Sequence, residues 1–225
     1  NSLWLNDKPF KKDLELALNR EVRLMNDANC FTLSEAVDGA GKDYQSIFGI
    51  IIGTGFGGGL SYNKSIIEGS NQIAGDWGHQ PLPYPTKDEQ EIKISCPSNN
   101  CGRPLCAEQF MSGIGFKDRF NQKYDTNFTS EEIVKLDLEN DSRANLELGL
   151  YEDRMARLMA VMIGIFDPDA IILGGGMSNI DRFYKNIPYL IPKYTFSNKV
   201  ETKVLKNFHG DSSGVRGAAW LWNNE

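Results

Sequence analysis

The chain has 225 residues, enough for one large domain or a tight pair of smaller ones. Hydrophobic residues at 40% and charged residues at 24% give the balance of a folded globular chain. A net charge of −6 argues against a dedicated nucleic-acid partner, which needs a basic face. The longest apolar run, at 158–166, is nine residues. A membrane helix needs about 20, so no membrane partner is expected. The opening Asn1-Ser2-Leu3-Trp4 lacks the basic stretch of a signal peptide. With Asn rather than Met first, the start reads as processed, cloned or truncated. Four Cys are too few for a disulfide scaffold, which suits a cytoplasmic chain.

In chain order, 13–21 is rich in helix formers and predicts a short helix. A short strand at 22–25 follows, ending at Asn26-Asp27, and the helical pattern resumes over 28–37. Residues 46–52 (SIFGIII) form an apolar run that suits a strand buried on both faces. It ends in a glycine turn over 53–59, and 60–67 reads as a hairpin centred on Asn63-Lys64. Residues 71–100 are irregular, punctuated by Pro81, Pro83, Pro85 and Pro97. A helix is expected over 106–124 with a break near Gly113 and Gly115, and another begins at Ser130. The strongest helical pattern covers 144–166, with Leu146, Leu150, Met155, Leu158, Met159, Met162 and Ile163 on its apolar face. Asp167-Pro168-Asp169 stops it. A buried strand at 170–173 leads into Gly174-Gly175-Gly176; a helix at 180–190, an edge strand at 200–205 and a final helix at 214–222 complete a mixed α/β order.

Glycine supplies 22 residues, about 10% against a usual 7%, and they are grouped rather than scattered. Gly53-Thr54-Gly55 follows a buried strand, and successive glycine N–H groups there can cradle phosphate; a tight hairpin is the alternative. Asp27 stands at a strand end, where a carboxylate can take a proton from an attacking hydroxyl or simply cap the next helix. His79 with Cys96, Cys101 and Cys106 matches a structural Zn²⁺ donor set, against an alternative of unrelated reduced thiols and a loop histidine. Gly174-Gly175-Gly176 would let a flat purine pack on backbone or would form a close strand-to-helix turn. Cys30 reads as a core residue and His209 as a loop or cap residue.

Six segments in order resemble the ROK family (repressors, open reading frames, kinases) of sugar kinases, and within it the bacterial fructokinases. They are NDANC from Asn26, IIGTGFGGG from Ile51, AGDWGHQPLP from Ala74, CGRPLCAE from Cys101, DPDAIILGGGMSN from Asp167 and HGDSSGVRGAAWLW from His209. The resemblance implies an actin-like ATPase (RNase H-like) fold. Residues 1–45 would be the remainder of an N-terminal lobe carrying the catalytic Asp. Residues 46–213 would be the C-terminal lobe, with a zinc-binding insert at about 79–106. Residues 214–225 would be a final helix packing back toward the N-terminal lobe, its face of Val215, Ala218, Ala219 and Trp222 short of partners. The family's opening hairpin, Asp-x-Gly-Gly-Thr, which holds Mg²⁺ and phosphates, has no match here, so the chain is expected to start partway through the first lobe.

The implied roles are Asp27 as base and Asn26, Asp76, His79 and Glu108 as sugar contacts. Gly53, Thr54 and Gly55 would be a phosphate loop, and Gly174, Gly175 and Gly176 the adenosine motif. His79 would use one ring nitrogen on zinc and the other on sugar. The sequence departs from the family where Asp76 replaces Glu, where Leu105 replaces Gly, and where Asn99 stands at the first Cys with Cys96 three residues earlier. The implied activity is ATP- and Mg²⁺-dependent phosphorylation of a hexose, D-fructose at its 6-hydroxyl, by a cytoplasmic homodimer. The alternatives are a truncated, non-catalytic sugar-binding module and, last, the family's transcription regulators.

Overall fold

The computed structural model describes residue 5 and residues 7–92, 95–98 and 101–222; Asn1 and Asn99 lie outside the described residues. In chain order the elements are α1 (Phe10–Leu18), α2 (Asp27–Val37), β1 (Ser46–Ile52), β2 (Phe56–Tyr62), β3 (Ser65–Ile66), α3 (Lys87–Glu91), α4 (Ala107–Met111), α5 (Gly113–Tyr124), α6 (Ser130–Leu138), α7 (Ser142–Phe166), β4 (Ala170–Gly174), α8 (Phe183–Leu190), β5 (Lys203–Lys206) and α9 (Ser213–Trp220).

The strands form one mixed sheet in the order β3-β2-β1-β4-β5. β1, β4 and β5 run parallel, and the β1–β2–β3 side is antiparallel. Alternation along β1 sends Phe48, Ile50 and Ile52 into the large core beneath α4–α8. Ile47 and Ile51 go to the opposite face with Phe31 of α2 and Ile172 of β4. Two helical layers thus cover the sheet, which is why β1 reads as a continuous apolar run. Gly49 and Gly59 pair across β1 and β2. A side chain on either would collide with Thr32, so this pair lets α2 lie close on the sheet.

One strand boundary moves as well. The expected turn over 53–59 is confined to 53–55, and Gly57, Gly58 and Gly59 belong to β2. Other differences have equally local causes. α1 lies three residues before the expected 13–21 and ends where Asn19 turns left-handed at φ 49°. The strand expected over 22–25 does not form, because no described strand lies beside it. Val22 N–H donates to Glu15 Oε1 instead (3.1 Å), and Arg23 reaches the Leu221 carbonyl and stacks over Trp222. The helix over 106–124 divides at Ser112, whose extended backbone ends α4 and whose hydroxyl caps α5 at Gly115 N. On α7, Leu146 and Leu150 are exposed; Met155, Leu158, Met159 and Met162 are buried as expected, and Leu148 and Tyr151 join them in the core. A 3₁₀ turn at Gly176–Asn179 delays α8 to Phe183, and β5 starts at Lys203.

The irregular stretch contains α3, which opens with a reciprocal capping box between Thr86 and Glu89. Glu89 is buried against Arg154 and Arg157 of α7, each at 2.7 Å. Burial alone would raise its carboxyl, but Arg157, the Thr86 amide and Arg154 outweigh burial and hold it at about 2. The network pins the loop on α7, helped by Arg157 donating to the Pro83 and Tyr84 carbonyls.

α9 packs lengthwise on α2, with Gly217 against the Cys30 backbone. Val215 on its outer face is 78% exposed, Ala218 and Ala219 are exposed, and Trp222 just beyond it is half-exposed under Arg23. His209 is a bonded residue, its Nε2 2.9 Å from Asp38 Oδ1. Buried Glu35 takes the amides of Ala40, Phe208 and His209 and the Ser213 hydroxyl, tying α2 to this segment. No described helix is long and apolar enough to cross a membrane.

Candidate functional site

Parallel β1 and β4 end side by side, and both glycine turns leave the sheet there, the edge where α/β proteins bind ligands. Gly175 takes φ +80°, and a Cβ on it would lie 2.5 Å from the Ile52 carbonyl, so this turn admits only glycine. Beside the turns is a cavity of about 800 Å³, walled by Gly53, Thr54, the first turn of α5, the start of α6 and the Gly176–Asn179 turn. Gly53, Thr54 and Gly176 therefore line it. Gly55 faces the other way, toward Glu108 Oε2, and Gly174 packs under the Phe31 ring. The Gly113 amide, at the head of α5, bonds the Gly53 carbonyl at 2.8 Å and joins the cavity wall to the turn. A wider groove of about 940 Å³ lies away from these residues, between the end of α7 and residues 194–203.

On the opposite side of the 53–55 turn, two stretches of the irregular region are clipped antiparallel. Leu82 N bonds Leu105 O, Ala107 N bonds Gln80 O, and Glu108 N bonds Gly78 O, each at 2.8 Å. Leu105 holds φ 53° in the clip, at the position where the sequence departs from a family glycine. Trp77 anchors this unit to the sheet, its ring 4.8 Å from Phe48 and 5.1 Å from Phe56. The clip sets His79 beside Cys106 and Glu108. His79 Nδ1 is 3.4 Å from Cys106 Sγ and 3.9 Å from Cys96 Sγ, and the two sulfurs are 3.4 Å apart.

With Cys101, the four donor atoms lie within 4.8 Å of one another. A tetrahedral zinc with Zn–S of about 2.3 Å and Zn–N of about 2.0 Å separates its ligands by roughly 3.5–3.8 Å, so donor chemistry and spacing both fit. Burial pushes the Cys96 and Cys106 thiols up. Cys96 reaches the cluster despite its displaced position in the sequence.

Glu108 is buried at the start of α4. Its Oε2 accepts the Phe56 amide (3.1 Å), and its Oε1 accepts the Ser98 hydroxyl (2.6 Å). Ser98 carried no signal in the sequence, being one polar residue in an irregular loop. Asp76 is exposed on the loop before His79. Asp27 and Asn26 are exposed at the head of α2, where both side chains accept the Ala28 amide at 2.9 Å. Asn26 is thus the helix cap, and Asp27 is the first helical residue. Cys30 is buried behind them, its thiol pushed up by burial and by the Asp27 charge.

Comparison with known proteins agrees with this architecture. The ROK family profile matches residues 1–225. An N-acetyl-D-glucosamine kinase of Vibrio atlanticus is 39% identical over 214 residues, 95% of this chain and 71% of that protein. The enzyme of the same name from Vibrio cholerae is 38% identical over the same shares. Among solved structures, a ROK hexokinase from Thermus thermophilus superposes with a TM-score of 0.82 at 24% identity, covering 95% of this chain and 68% of that one. A ROK glucokinase from Streptomyces griseus, in complex with glucose and AMPPNP, gives 0.80 at 23%, covering 96% and 73%. These likenesses establish the actin-like ATPase fold, and the expectation of D-fructose gains no support from the relatives. The chain belongs to the ROK family, with sugar kinases as its relatives.

Proposed function

We propose that this chain phosphorylates an N-acetylated hexosamine, N-acetyl-D-glucosamine, at its 6-hydroxyl with ATP and Mg²⁺. One observation carries the reading: a single turn, 53–55, has an 800 Å³ cavity on one side and the buried Glu108 carboxylate with His79 on the other. Two ligands could meet across it. The names of relatives at 38–39% identity support the hexosamine over D-fructose.

ATP with Mg²⁺ supplies an electrophilic phosphoryl group when bound. The Gly53-Thr54-Gly55 turn would hold its phosphates through the Thr54 and Gly55 N–H groups, the Gly53 N–H being bonded to the Gly55 carbonyl at 3.0 Å, and the Gly174-Gly175-Gly176 turn would carry the adenosine along Gly176. Asp27 would take the proton of the sugar hydroxyl, since Oδ1 is held by the Ala28 amide and the residue is exposed. Asn26, Asp76, Glu108 and the outward nitrogen of His79 would hold the other hydroxyls. One zinc on His79, Cys96, Cys101 and Cys106 would fix the clip. Residues 1–45 and 46–213 would act as parts of two lobes around the cleft, in a homodimer.

Coupled detection of ADP with N-acetyl-D-glucosamine, D-glucose, D-mannose and D-fructose is the test. The hexosamine is expected to give the highest kcat/KM. Asp27→Asn is expected to lower kcat by about 10²–10⁴ with sugar binding retained. Near-normal turnover in that variant would remove Asp27 as base, and a preference for D-fructose would overturn the hexosamine. Sugar binding without ADP release by the wild type would favour a non-catalytic module.

A further inference from the structure

Glu108 is held at both carboxylate oxygens, and the two holds come from different places. Oε2 takes the Phe56 amide at the start of β2, a fixed point of the sheet. Oε1 takes the Ser98 hydroxyl at 2.6 Å, from the loop between Cys96 and Cys101. Cys96 Sγ lies 3.5 Å from the same Oε1. Once Cys96 is a thiolate ligand it has no proton to donate. The Ser98 hydroxyl is then the side-chain donor to Oε1 among the described residues. Ser98 stands two residues after Cys96 and three before Cys101, both candidate metal ligands.

We infer that Ser98 is a positioning residue for sugar recognition. It holds the Glu108 carboxylate in one orientation, and ligation of Cys96, two residues before it, would deliver it there. The inference rests on the reading of Glu108 as a sugar contact. It gives the metal an influence on sugar affinity that runs through a hydroxyl rather than through a ligand. A carboxylate fixed at two oxygens keeps its remaining lone pairs aimed; released at Oε1, it must be reordered each time sugar binds.

The test is calorimetric binding of N-acetyl-D-glucosamine to the full-length protein, with steady-state kinetics and zinc content measured on the same samples. Ser98→Ala is expected to weaken sugar binding about tenfold, the effect of losing one hydrogen bond to a charged group. KM for sugar should rise in proportion, while kcat, KM for ATP and zinc content stay at wild-type values. Ser98→Thr, which keeps the hydroxyl, should restore binding. In a Glu108→Gln background, Ser98→Ala should add little, because the two act as one unit. Wild-type affinity in Ser98→Ala, with weakened binding in Glu108→Gln, would overturn the inference alone. Unchanged binding in Glu108→Gln would remove both the sugar-contact reading and the inference. Loss of zinc in Ser98→Ala, not rescued by Ser98→Thr, would make the hydroxyl a folding element and also overturn it.

Discussion

Gly217→Ala tests whether α9 sets the position of α2. A Cβ at residue 217 would lie 2.7 Å from Cys30 Cα and nearer still to the Cys30 carbonyl oxygen. Real Cβ atoms keep about 3.0 Å or more from such neighbours, and the carbonyl oxygen lies at 1.7 Å, so the two helices must separate by at least about 1 Å. Both groups that collide belong to backbone, and no flexible side chain can swing away. Overpacking of this kind costs about 1–3 kcal/mol. For a domain of this size, about 2–4 °C of Tm is lost per kcal/mol, so a fall of roughly 5 °C is expected in scanning calorimetry. Asp27 lies on α2 three residues before Cys30. A 1 Å misplacement of a reacting group costs up to about 10²-fold, so kcat should fall roughly 10- to 100-fold in the ADP-coupled assay. KM for ATP should hold, because the cavity beside Gly53 is built from other elements. An unchanged Tm would refute the close approach. A lowered Tm with kcat intact would refute the link between α9 and the proposed base, Asp27.

Purified protein is expected to carry one zinc per chain by elemental analysis, and stripping it should loosen the 79–106 region in hydrogen exchange; an intact fold with well under one zinc would refute the site. Acid should act through Glu89. Its carboxyl sits at about 2 in the folded chain against roughly 4.3 when unfolded. The folded value is depressed, so the stabilisation, on the order of 2–3 kcal/mol, is complete above about pH 4.3 and is lost as pH falls toward 2. Glu89→Gln takes the carboxylate away from buried Arg154 and leaves Arg157 with Asp153 and two carbonyls, and should cost about 3 kcal/mol at pH 7 in urea unfolding. The difference from wild type should shrink below pH 4; a difference independent of pH would refute the assignment.

The strands were legible wherever burial on both faces leaves an apolar run. β1 matches its expected span, and β4 extends it by Gly174. The histidine and three cysteines were legible from side-chain chemistry, and the structure gathers them. What escaped depends on a partner far away in sequence. Residues 22–25 look like a strand locally, yet a strand exists only beside another. Gly57, Gly58 and Gly59 look like a turn, yet they are strand because each pairs with a residue of β1, and Gly59 alone of the three lies against α2. Of the grouped glycines, Gly53 and Gly176 line the cavity, while Gly174 and Gly175 serve close packing. Glu89 and Ser98 looked like ordinary surface residues, since nothing local pairs one with α7 or the other with Glu108.

The 53–55 turn has a consequence for the thermodynamics of the two ligands. It is a partition wall three residues thick, with the Gly53 carbonyl fixed to the head of α5 and the Phe56 amide fixed to Glu108. A displacement forced from the cavity side reaches the carboxylate side, and the reverse holds equally. With nucleotide on one face and sugar on the other, as proposed, their binding would be linked, and linkage is reciprocal: the factor by which nucleotide alters sugar affinity equals the factor by which sugar alters nucleotide affinity.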